Sequence, residues 1–267
     1  MHVTRTDEQW KLLNEADPDV PIVMLNLIRF RDTALDGYGC DGMTGEDAYA
    51  EYGRRLRALA ADFPGSPFWV GDAGHTYIGP DDESWDLVLC VGYDSVSVFR
   101  DMLASEPYQE AAKARTAAVA DSRLVLMHQS SHAGDAMKSW ASASGGGDDP
   151  GDDPIVMLNL IRYQDTALAG HTCDGMSGEE AYTEYIRRLQ AMNSHDFPGN
   201  LIWDGEGHGT IIGPADESWD RILLIAYPSI EDFRRRANSE IYQTAAPART
   251  AAVLDSRLVL THQKFPR

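Results

Sequence analysis

Most of this chain consists of one sequence that occurs twice, and this repetition limits the folds that the chain can adopt. Residues 21–29, Pro-Ile-Val-Met-Leu-Asn-Leu-Ile-Arg, reappear unchanged as residues 154–162. Further motifs recur in the same order, such as Asp-Glu-Ser-Trp-Asp at residues 82–86 and again at 216–220. Collinear repetition of this kind indicates a tandem duplication, so the 267 residues hold two copies of one module.

A stretch rich in serine, glycine and aspartate separates the two copies. Its sequence, Ser-Ala-Ser-Gly-Gly-Gly-Asp-Asp-Pro-Gly-Asp-Asp, is typical of a flexible acidic linker. We therefore divide the chain into a first module with an N-terminal helix at 1–129, a linker at 130–153 and a second module at 154–267. A coil of this length spans on the order of 25–30 Å, so the copies can meet face to face within one chain.

Each copy is predicted to fold as β-α-β-β-α-β. The strand at residues 21–29 lacks polar alternation, which indicates that both of its faces are covered. Thr44-Gly-Glu-Asp and Ser177-Gly-Glu-Glu are capping-box patterns that mark the start of the first helix in each copy. Two helices on one face of a four-stranded antiparallel sheet leave the other face bare, and the second copy can cover it. The predicted fold class is α+β, with two ferredoxin-like modules forming an intrachain dimeric α/β barrel around small-molecule cavities.

Three of the repeated motifs resemble a known family. They are Met-Leu-Asn-Leu-Ile-Arg-Phe, Ile-Gly-Pro-x-Asp-Glu-Ser-Trp-Asp and Arg-Thr-Ala-Ala-Val-x-Asp-Ser-Arg-Leu. Together they resemble the DUF1330 family over residues 20–129 and 153–263. The resemblance implies the dimeric α/β-barrel fold. That superfamily includes cofactor-independent quinone-forming monooxygenases, polyketide cyclases, muconolactone isomerases and haem-binding enzymes.

Composition narrows the classes of partner. A net charge of −19 would repel a polyanion, so we expect no nucleic acid partner. The sequence has no apolar run of about 18 residues or more and no signal-peptide pattern near its start, so no membrane partner is expected. Three cysteines without a CxxC spacing fit a reducing compartment, and we expect a cytoplasmic protein. The expected partner is a small-molecule substrate, with the two copies as a self-contained pseudo-dimer that is able to oligomerise further.

An asparagine in the first strand of each copy is a candidate catalytic group. In residues 21–29 an all-apolar face alternates with the face that carries Asn26. We expect the apolar face to meet the helices, so that Asn26 and its counterpart Asn159 face a cavity between the copies. A buried amide there could donate hydrogen bonds to a substrate carbonyl. The alternative is a structural link to a neighbouring strand.

Arginines on the last strand of each copy are placed by the same reasoning. Arg123 and Arg257 should lie toward the cavity or its rim, where they could bind a carboxylate or enolate oxygen. The alternative is an ion pair with Asp121 or another nearby carboxylate. Arg29 and Arg162 are expected at the cavity mouth.

The second strand of each copy carries one candidate proton carrier, which is His75 in the first copy and His208 in the second. His75 and His208 are offset by one position between the copies, so only one of them should face a cavity. His75 is predicted to share a face with Trp69 and Tyr77, where it could act as a general base near neutral pH.

The remaining candidates are substrate contacts. The loops that contain Cys-Asp-Gly-Met are longer than a connection needs, and we interpret them as lids over the cavities. Glu83 and Glu217 could act as acid–base groups, but they belong to an acidic turn that we expect to be solvated. The candidate substrate-binding residues are Arg29, Arg162, Trp69, Trp203, Tyr77, Met43 and Met176. Motifs for nucleotides and a metal-ligand spacing are missing from the sequence, so we expect no cofactor and no metal.

Three functional hypotheses remain. The first is an enzyme that uses acid–base chemistry for cyclisation, isomerisation or dehydration of a hydrophobic, carbonyl-bearing molecule, which could be a natural product of secondary metabolism. The second is a cofactor-independent monooxygenase on an electron-rich aromatic, and the third is a non-catalytic small-molecule carrier. Because the copies differ at positions such as Tyr77 and its counterpart Ile211, we predict that one cavity is active and the other is degraded.

Overall fold

The computed structural model describes residues 2–129, 153–190, 196 and 198–265. The elements of the first copy are α1 (Asp7–Glu15), β1 (Ile22–Phe30), α2 (Gly45–Ala58), β2 (Gly65–Ile78), β3 (Leu87–Tyr93), α3 (Val96–Ala104), α4 (Glu106–Ala118) and β4 (Val119–Gln129). Those of the second copy are β5 (Ile155–Tyr163), α5 (Gly178–Leu189), β6 (Asn200–Ile212), β7 (Arg221–Tyr227), α6 (Ile230–Ala237), α7 (Glu240–Ala252) and β8 (Val253–Phe265). The predicted linker at 130–153 lies outside the described residues except for Asp153.

The eight strands close into one antiparallel barrel that both copies share. The strand order around the barrel is β1-β3-β2-β8-β5-β7-β6-β4. Each copy contributes a four-stranded ferredoxin-like sheet, and the sheets join where β2 pairs with β8 and β4 pairs with β6. The predicted intrachain α/β barrel is confirmed. Closure pairs the sheet edges that each copy alone would expose.

The barrel interior is packed with side chains. The apolar face of β1, including Leu25 and Leu27, points into it together with Trp69 and Trp203, which are 0% and 1% exposed. The prediction that this face meets the helices, and that a cavity lies between the copies, is therefore wrong. An eight-stranded barrel has an interior just wide enough for its own side chains, and the most apolar faces of the strands fill it.

The helices lie on the outside of the barrel. Helices α2 and α5 begin where the capping patterns predict: Thr44 Oγ1 accepts from the Asp47 amide at 3.1 Å, and Ser177 Oγ accepts from the Glu180 amide at 3.2 Å. A glycine follows each cap because the backbone passes very close there. A Cβ on Gly45 would lie 2.2 Å from the Arg31 carbonyl oxygen. Within the described ranges, no helix is long and apolar enough to cross a bilayer.

Candidate functional site

Each copy has a cavity outside the barrel, between the outer face of its sheet and its helices. The cavity of the second copy has a volume of about 380 Å³, and the corresponding cavity of the first copy has about 70 Å³. The two are called the second-copy cavity and the first-copy cavity. The described residues that line the second-copy cavity include Asn159, Tyr182, Tyr185, Leu189, Arg221, Leu223, Tyr227, Phe233, Arg236, Tyr242 and Arg249.

The first-copy cavity is narrowed by Leu103 of α3, which lines it where α6 has the smaller Ala237. Met102 lines it as well, at the position that Arg236 occupies in α6. Arg5, from the segment before α1, lines it as well. The difference in volume fits the prediction that the copies have specialised.

The N-terminal segment also accepts a hydrogen bond from an arginine that lines the first-copy cavity. Arg115 Nη1 donates to the Val3 carbonyl oxygen at 2.7 Å, and its Nη2 donates to Ser122 Oγ at 3.0 Å. The equivalent arginine, Arg249, makes one hydrogen bond within the described residues, from Nη2 to Ser256 Oγ at 3.3 Å. Arg249 therefore has donors free for a ligand, whereas Arg115 is held by its own chain.

The second-copy cavity is lined by cations and apolar groups. Arg221, Arg236 and Arg249 reach it, and no aspartate or glutamate is found among its described lining residues. This concentration of positive charge contrasts with a chain whose net charge is −19. A cavity of this kind favours a hydrophobic ligand that carries an anionic oxygen.

Tyrosines supply further hydrogen-bond donors. Burial raises the pKa of Tyr185, and the neighbouring Tyr242 raises it further. Burial also raises the pKa of Tyr182, although the charge of Arg249 opposes the shift. At neutral pH these phenols are protonated, so they can donate hydrogen bonds but do not serve as bases.

Asn26 and Asn159 lie in these outer cavities and not between the copies, so their predicted location is wrong. The reason is register: Leu25 pairs with Val125 on the inner face, which turns Asn26 outward beside Leu124. Asn159 Nδ2 donates to the carbonyl oxygen of Met157, two residues before it, at 3.5 Å. This long bond orients the amide along its own strand, where it lines the second-copy cavity. Its catalytic role stays a prediction.

Arg123 and Arg257 lie at one end of the barrel and are paired with carboxylates of the opposite copy. Arg123 Nε is 2.7 Å from Glu217 Oε2, and Arg257 Nε is 2.9 Å from Glu83 Oε1. The side chains of both glutamates are buried, which contradicts the prediction of a solvated turn. The ion-pair alternative therefore describes both arginines better than a substrate contact: Arg123 Nη1 also lies 3.5 Å from Asp121 Oδ2, and Arg257 Nη1 lies 2.6 Å from Asp255 Oδ1.

The histidines are exposed strand residues and line neither cavity. His75 contacts Tyr77 with ring centroids 4.7 Å apart, but a register shift between Ala73 and Thr76 separates it from the inward-facing Trp69. His208 contacts His128 with centroids 5.2 Å apart. The prediction that one of the two histidines faces a cavity is therefore wrong.

The predicted substrate contacts are also distributed differently. Trp69 and Trp203 fill the barrel interior, which makes contact with a ligand in the outer cavities impossible without opening the barrel. Tyr77 lies beside the second-copy cavity, where its ring centroid is 5.5 Å from that of Phe233. Arg162 Nη1 donates to the Asp216 carbonyl oxygen at 3.0 Å. Neither Arg162 nor Arg29 is among the described lining residues.

The Cys-Asp-Gly-Met loops, with Met43 and Met176, do not cover the cavities. Leu35 N donates to the Ala117 carbonyl oxygen at 3.1 Å, and Leu168 N donates to the Ala251 carbonyl oxygen at 3.0 Å. These bonds hold the loops against the ends of α4 and α7. None of the loop residues lines either cavity, so the interpretation of the loops as lids is wrong.

Comparison with known proteins places the chain in a family. The model of a domain of unknown function, DUF1330, matches residues 175–262. A solved protein of unknown function from Rhodopseudomonas palustris is 40% identical over 47% of this chain and 94% of its own, with a TM-score of 0.44. The chain belongs to the DUF1330 family. No curated protein matches this DUF1330 chain significantly.

More distant structures span both copies of the DUF1330 chain. An anthrone oxidase-like protein is 12% identical, covers 93% of each chain and has a TM-score of 0.48. A haem-binding protein from Thermus thermophilus is 11% identical, with 92% of this chain and 94% of its own covered and a TM-score of 0.46. With TM-scores below 0.5, these likenesses carry no functional argument.

Sequence reasoning missed the polar residues that distinguish the second-copy cavity of this DUF1330 chain. Arg221 pairs with Asp204, with Nη2 2.7 Å from Oδ2. The first copy has Leu87 and Val70 at these positions. The signal was present in the sequence, because aligning the two copies shows both changes. It could be recognised only once the two residues were known to touch.

Proposed function

We propose that this DUF1330 protein is a small-molecule enzyme that binds a hydrophobic, carbonyl-bearing compound in the second-copy cavity and stabilises its enolate. Cyclisation, isomerisation and dehydration are reactions that pass through such an anion. The observation that carries the proposal is an apolar cavity of about 380 Å³ toward which an amide, three guanidiniums and several protonated phenols converge.

Stabilisation of a developing negative charge is the chemistry these groups can perform. Arg249 and Arg221 are fixed cations, and Asn159 contributes an amide at the sheet surface. Preorganised donors act most strongly where water is largely excluded, and loss of one such donor typically costs about 2.7–4 kcal/mol in the transition state.

Proton removal is assigned differently from the sequence-based hypothesis. The described residues that line the cavity include no histidine and no carboxylate. The proposal therefore gives the protein the role of holding the carbonyl and its enolate oxygen, while water or a basic group of the substrate accepts the proton. A substrate with an already acidic C–H bond fits this arrangement.

A cofactor-independent monooxygenase acting on a phenol is the second candidate, and the same cations favour it. Positive charge around a bound phenol lowers its pKa and favours the electron-rich phenolate, the form that oxygen attacks. Oxygen consumption during turnover separates the two candidates, because enolate isomerisation consumes none.

A carrier without catalysis is separated from both by mass spectrometry. The protein is incubated with a cell metabolite extract, bound compounds are identified, and the mass of each is followed with time. A bound compound whose mass or isomer composition changes supports an enzyme. A compound released unchanged supports a carrier.

Asn159→Ala tests the site, and Asn26→Ala is its matched control in the first copy. With a substrate found in this way, we expect Asn159→Ala to lower kcat/KM about 100-fold or more, as for loss of an oxyanion-hole donor. Asn26→Ala should leave it within about twofold, since a cavity of about 70 Å³ has little space for a substrate. Unchanged turnover in Asn159→Ala, or equal losses in both variants, would contradict the proposal.

A further inference from the structure

Three neighbouring positions are apolar in the first copy and polar in the second. The exchanges are Phe30 to Tyr163, Val70 to Asp204 and Leu87 to Arg221. The two rings occupy equivalent places, since Phe30 lies 5.4 Å from Tyr49 and Tyr163 lies 5.5 Å from Tyr182, measured between centroids. Among the differences between the copies, these three therefore form a group of neighbouring residues.

The three polar side chains form one network. Arg221 donates from Nε to Asp204 Oδ1 at 3.2 Å and from Nη2 to Oδ2 at 2.7 Å. Tyr163 lies close enough to Arg221 to raise its pKa as well. Burial disfavours the charged form of Arg221, but the pairing with Asp204 outweighs this and raises its pKa. Arg221 is thus a permanently charged group held in a fixed orientation.

The fold does not require this network. In the first copy, Leu87 is buried in the apolar cluster beneath α2 and α4, with Val70 packed against it. The side chain of Arg221 is 31% exposed and that of Asp204 is 11% exposed, and ion pairs at the surface or in the interior are seldom more stabilising than well-packed apolar residues. The first copy thus demonstrates the apolar solution within the same chain, and the charges of the second copy point to a ligand.

The position of Arg221 shows where such a ligand would bind. Arg221 and Arg249 both line the second-copy cavity, and both act electrostatically on the buried Tyr182. The two guanidiniums therefore lie near the same phenol. Asp204 engages two of the donor atoms of Arg221, and Ser256 engages one of Arg249. Donors of both arginines remain for a bound anion.

We propose that the ligand of the second-copy cavity is a hydrophobic carboxylic acid, whose carboxylate binds between Arg221 and Arg249. Tyr163 and Asp204 are positioning residues that orient Arg221. The inference rests on the proposed function, since it concerns the same cavity, and it names the substrate class. The preference for an anion opposes the overall charge of −19, so it must come from the cavity itself.

The test compares two probes of the same shape. Naphthalene-2-carboxylate and its methyl ester are titrated into the full chain, and binding is followed by calorimetry. The variant combines Tyr163→Phe, Asp204→Val and Arg221→Leu, which are the residues of the first copy. Because the first copy folds with this set, the triple variant should keep its melting temperature. Asn26→Ala serves as a control outside the site.

The wild type should bind the acid about tenfold more tightly than the ester, and the triple variant should bind both with similar affinity. Ester affinity should change less than about threefold, because the apolar walls remain. Equal binding of acid and ester by the wild type, or an acid preference kept by the triple variant, would overturn the inference and leave the proposed function standing. Failure of the wild type to bind either probe would overturn both.

Discussion

At the scale of single side chains, four charged residues at one end of the barrel link the two copies. Arg123 with Glu217, and Arg257 with Glu83, are buried pairs between the copies. Each guanidinium also lies 5.0 Å from the ring of a buried tryptophan, which adds a cation–π contact. Buried charges of this kind depend on their partners more than exposed ones do.

Arg123→Ala should therefore be strongly destabilising. Removal of the cation leaves Glu217 buried and without its 2.7 Å partner, and such an uncompensated charge typically costs about 3–5 kcal/mol. Urea unfolding measures the change in the free energy of unfolding. Arg54→Ala, which breaks an exposed pair with Glu51 on α2, is the control and should unfold like the wild type. Similar stabilities for the two variants would show that the barrel-end pairs are dispensable.

The sequence allowed the type of contact that a residue makes to be predicted, but not the direction in which its side chain points. The pairing of Arg123 with a carboxylate is one of the two alternatives that the sequence offers, but the partner, Glu217, comes from the other copy, and only the closed barrel brings it near. The face of Asn26 was assigned wrongly because periodicity separates two faces of a strand without saying which points inward. The neighbouring strand decides it, through the pairing of Leu25 with Val125.

Helix α1 precedes the first strand and packs against residues of both copies. Gln9 Nε2 donates to the Gly213 carbonyl oxygen at 3.1 Å, and Leu13 is fully buried against residues of both copies. The helix begins with a capping box formed by Thr6 and Gln9. It therefore contributes to the seam between the copies.

Leu13→Ala should loosen this element. A fully buried leucine replaced by alanine typically costs about 2–5 kcal/mol, through lost burial and the cavity left behind. Leu254, at the start of β8, is 53% exposed, and its replacement by alanine should cost about 0.5 kcal/mol or less. Thermal or urea unfolding of the two variants measures the difference. A cost for Leu13→Ala no larger than for Leu254→Ala would show that α1 is not docked as described.

The layer between helices and sheet also predicts an alkaline loss of stability. Burial raises the pKa of Tyr49 on α2 to about 12, and burial raises that of Tyr227 on β7 to about 12 as well. An unfolded tyrosine ionises near pH 10, so the folded state holds the proton longer. The stabilising contribution is complete below pH 10 and is lost as the pH rises from about 10 to 12.

Urea unfolding as a function of pH tests this sign. The free energy of unfolding should fall between pH 10 and 12, and Tyr49→Phe should reduce the slope because phenylalanine does not ionise. A slope in Tyr49→Phe equal to that of the wild type would show that this phenol is not buried in the folded state.

At the scale of helices and strands, the secondary structure itself could be predicted best from the sequence. The capping patterns at Thr44 and Ser177 fixed where α2 and α5 begin, because the cap satisfies amides that the helix leaves free. The β-bulges were not predictable. The register shift between Ala73 and Thr76, which changes the direction of His75, depends on pairing between β2 and β8 of different copies.

The two copies are parts of one folded unit, because the barrel closes only through strand pairing between them. The duplication could be read from the sequence because repetition is independent of conformation. The location of the cavities could not be, since it depends on which face of each sheet lies inside the closed barrel. The sequence shows that the copies differ at Tyr77 and Ile211, and the structure shows that their cavities also differ in volume. One cavity has about 380 Å³ and the other about 70 Å³.

We expect the protein to have one working site, outside the barrel and in the second copy. A crystal structure of the full chain with naphthalene-2-carboxylate tests it most directly. We predict one bound molecule per chain, in the second-copy cavity, with its carboxylate between Arg221 and Arg249. Equal filling of both outer cavities, or a molecule inside the barrel between the copies, would contradict the account.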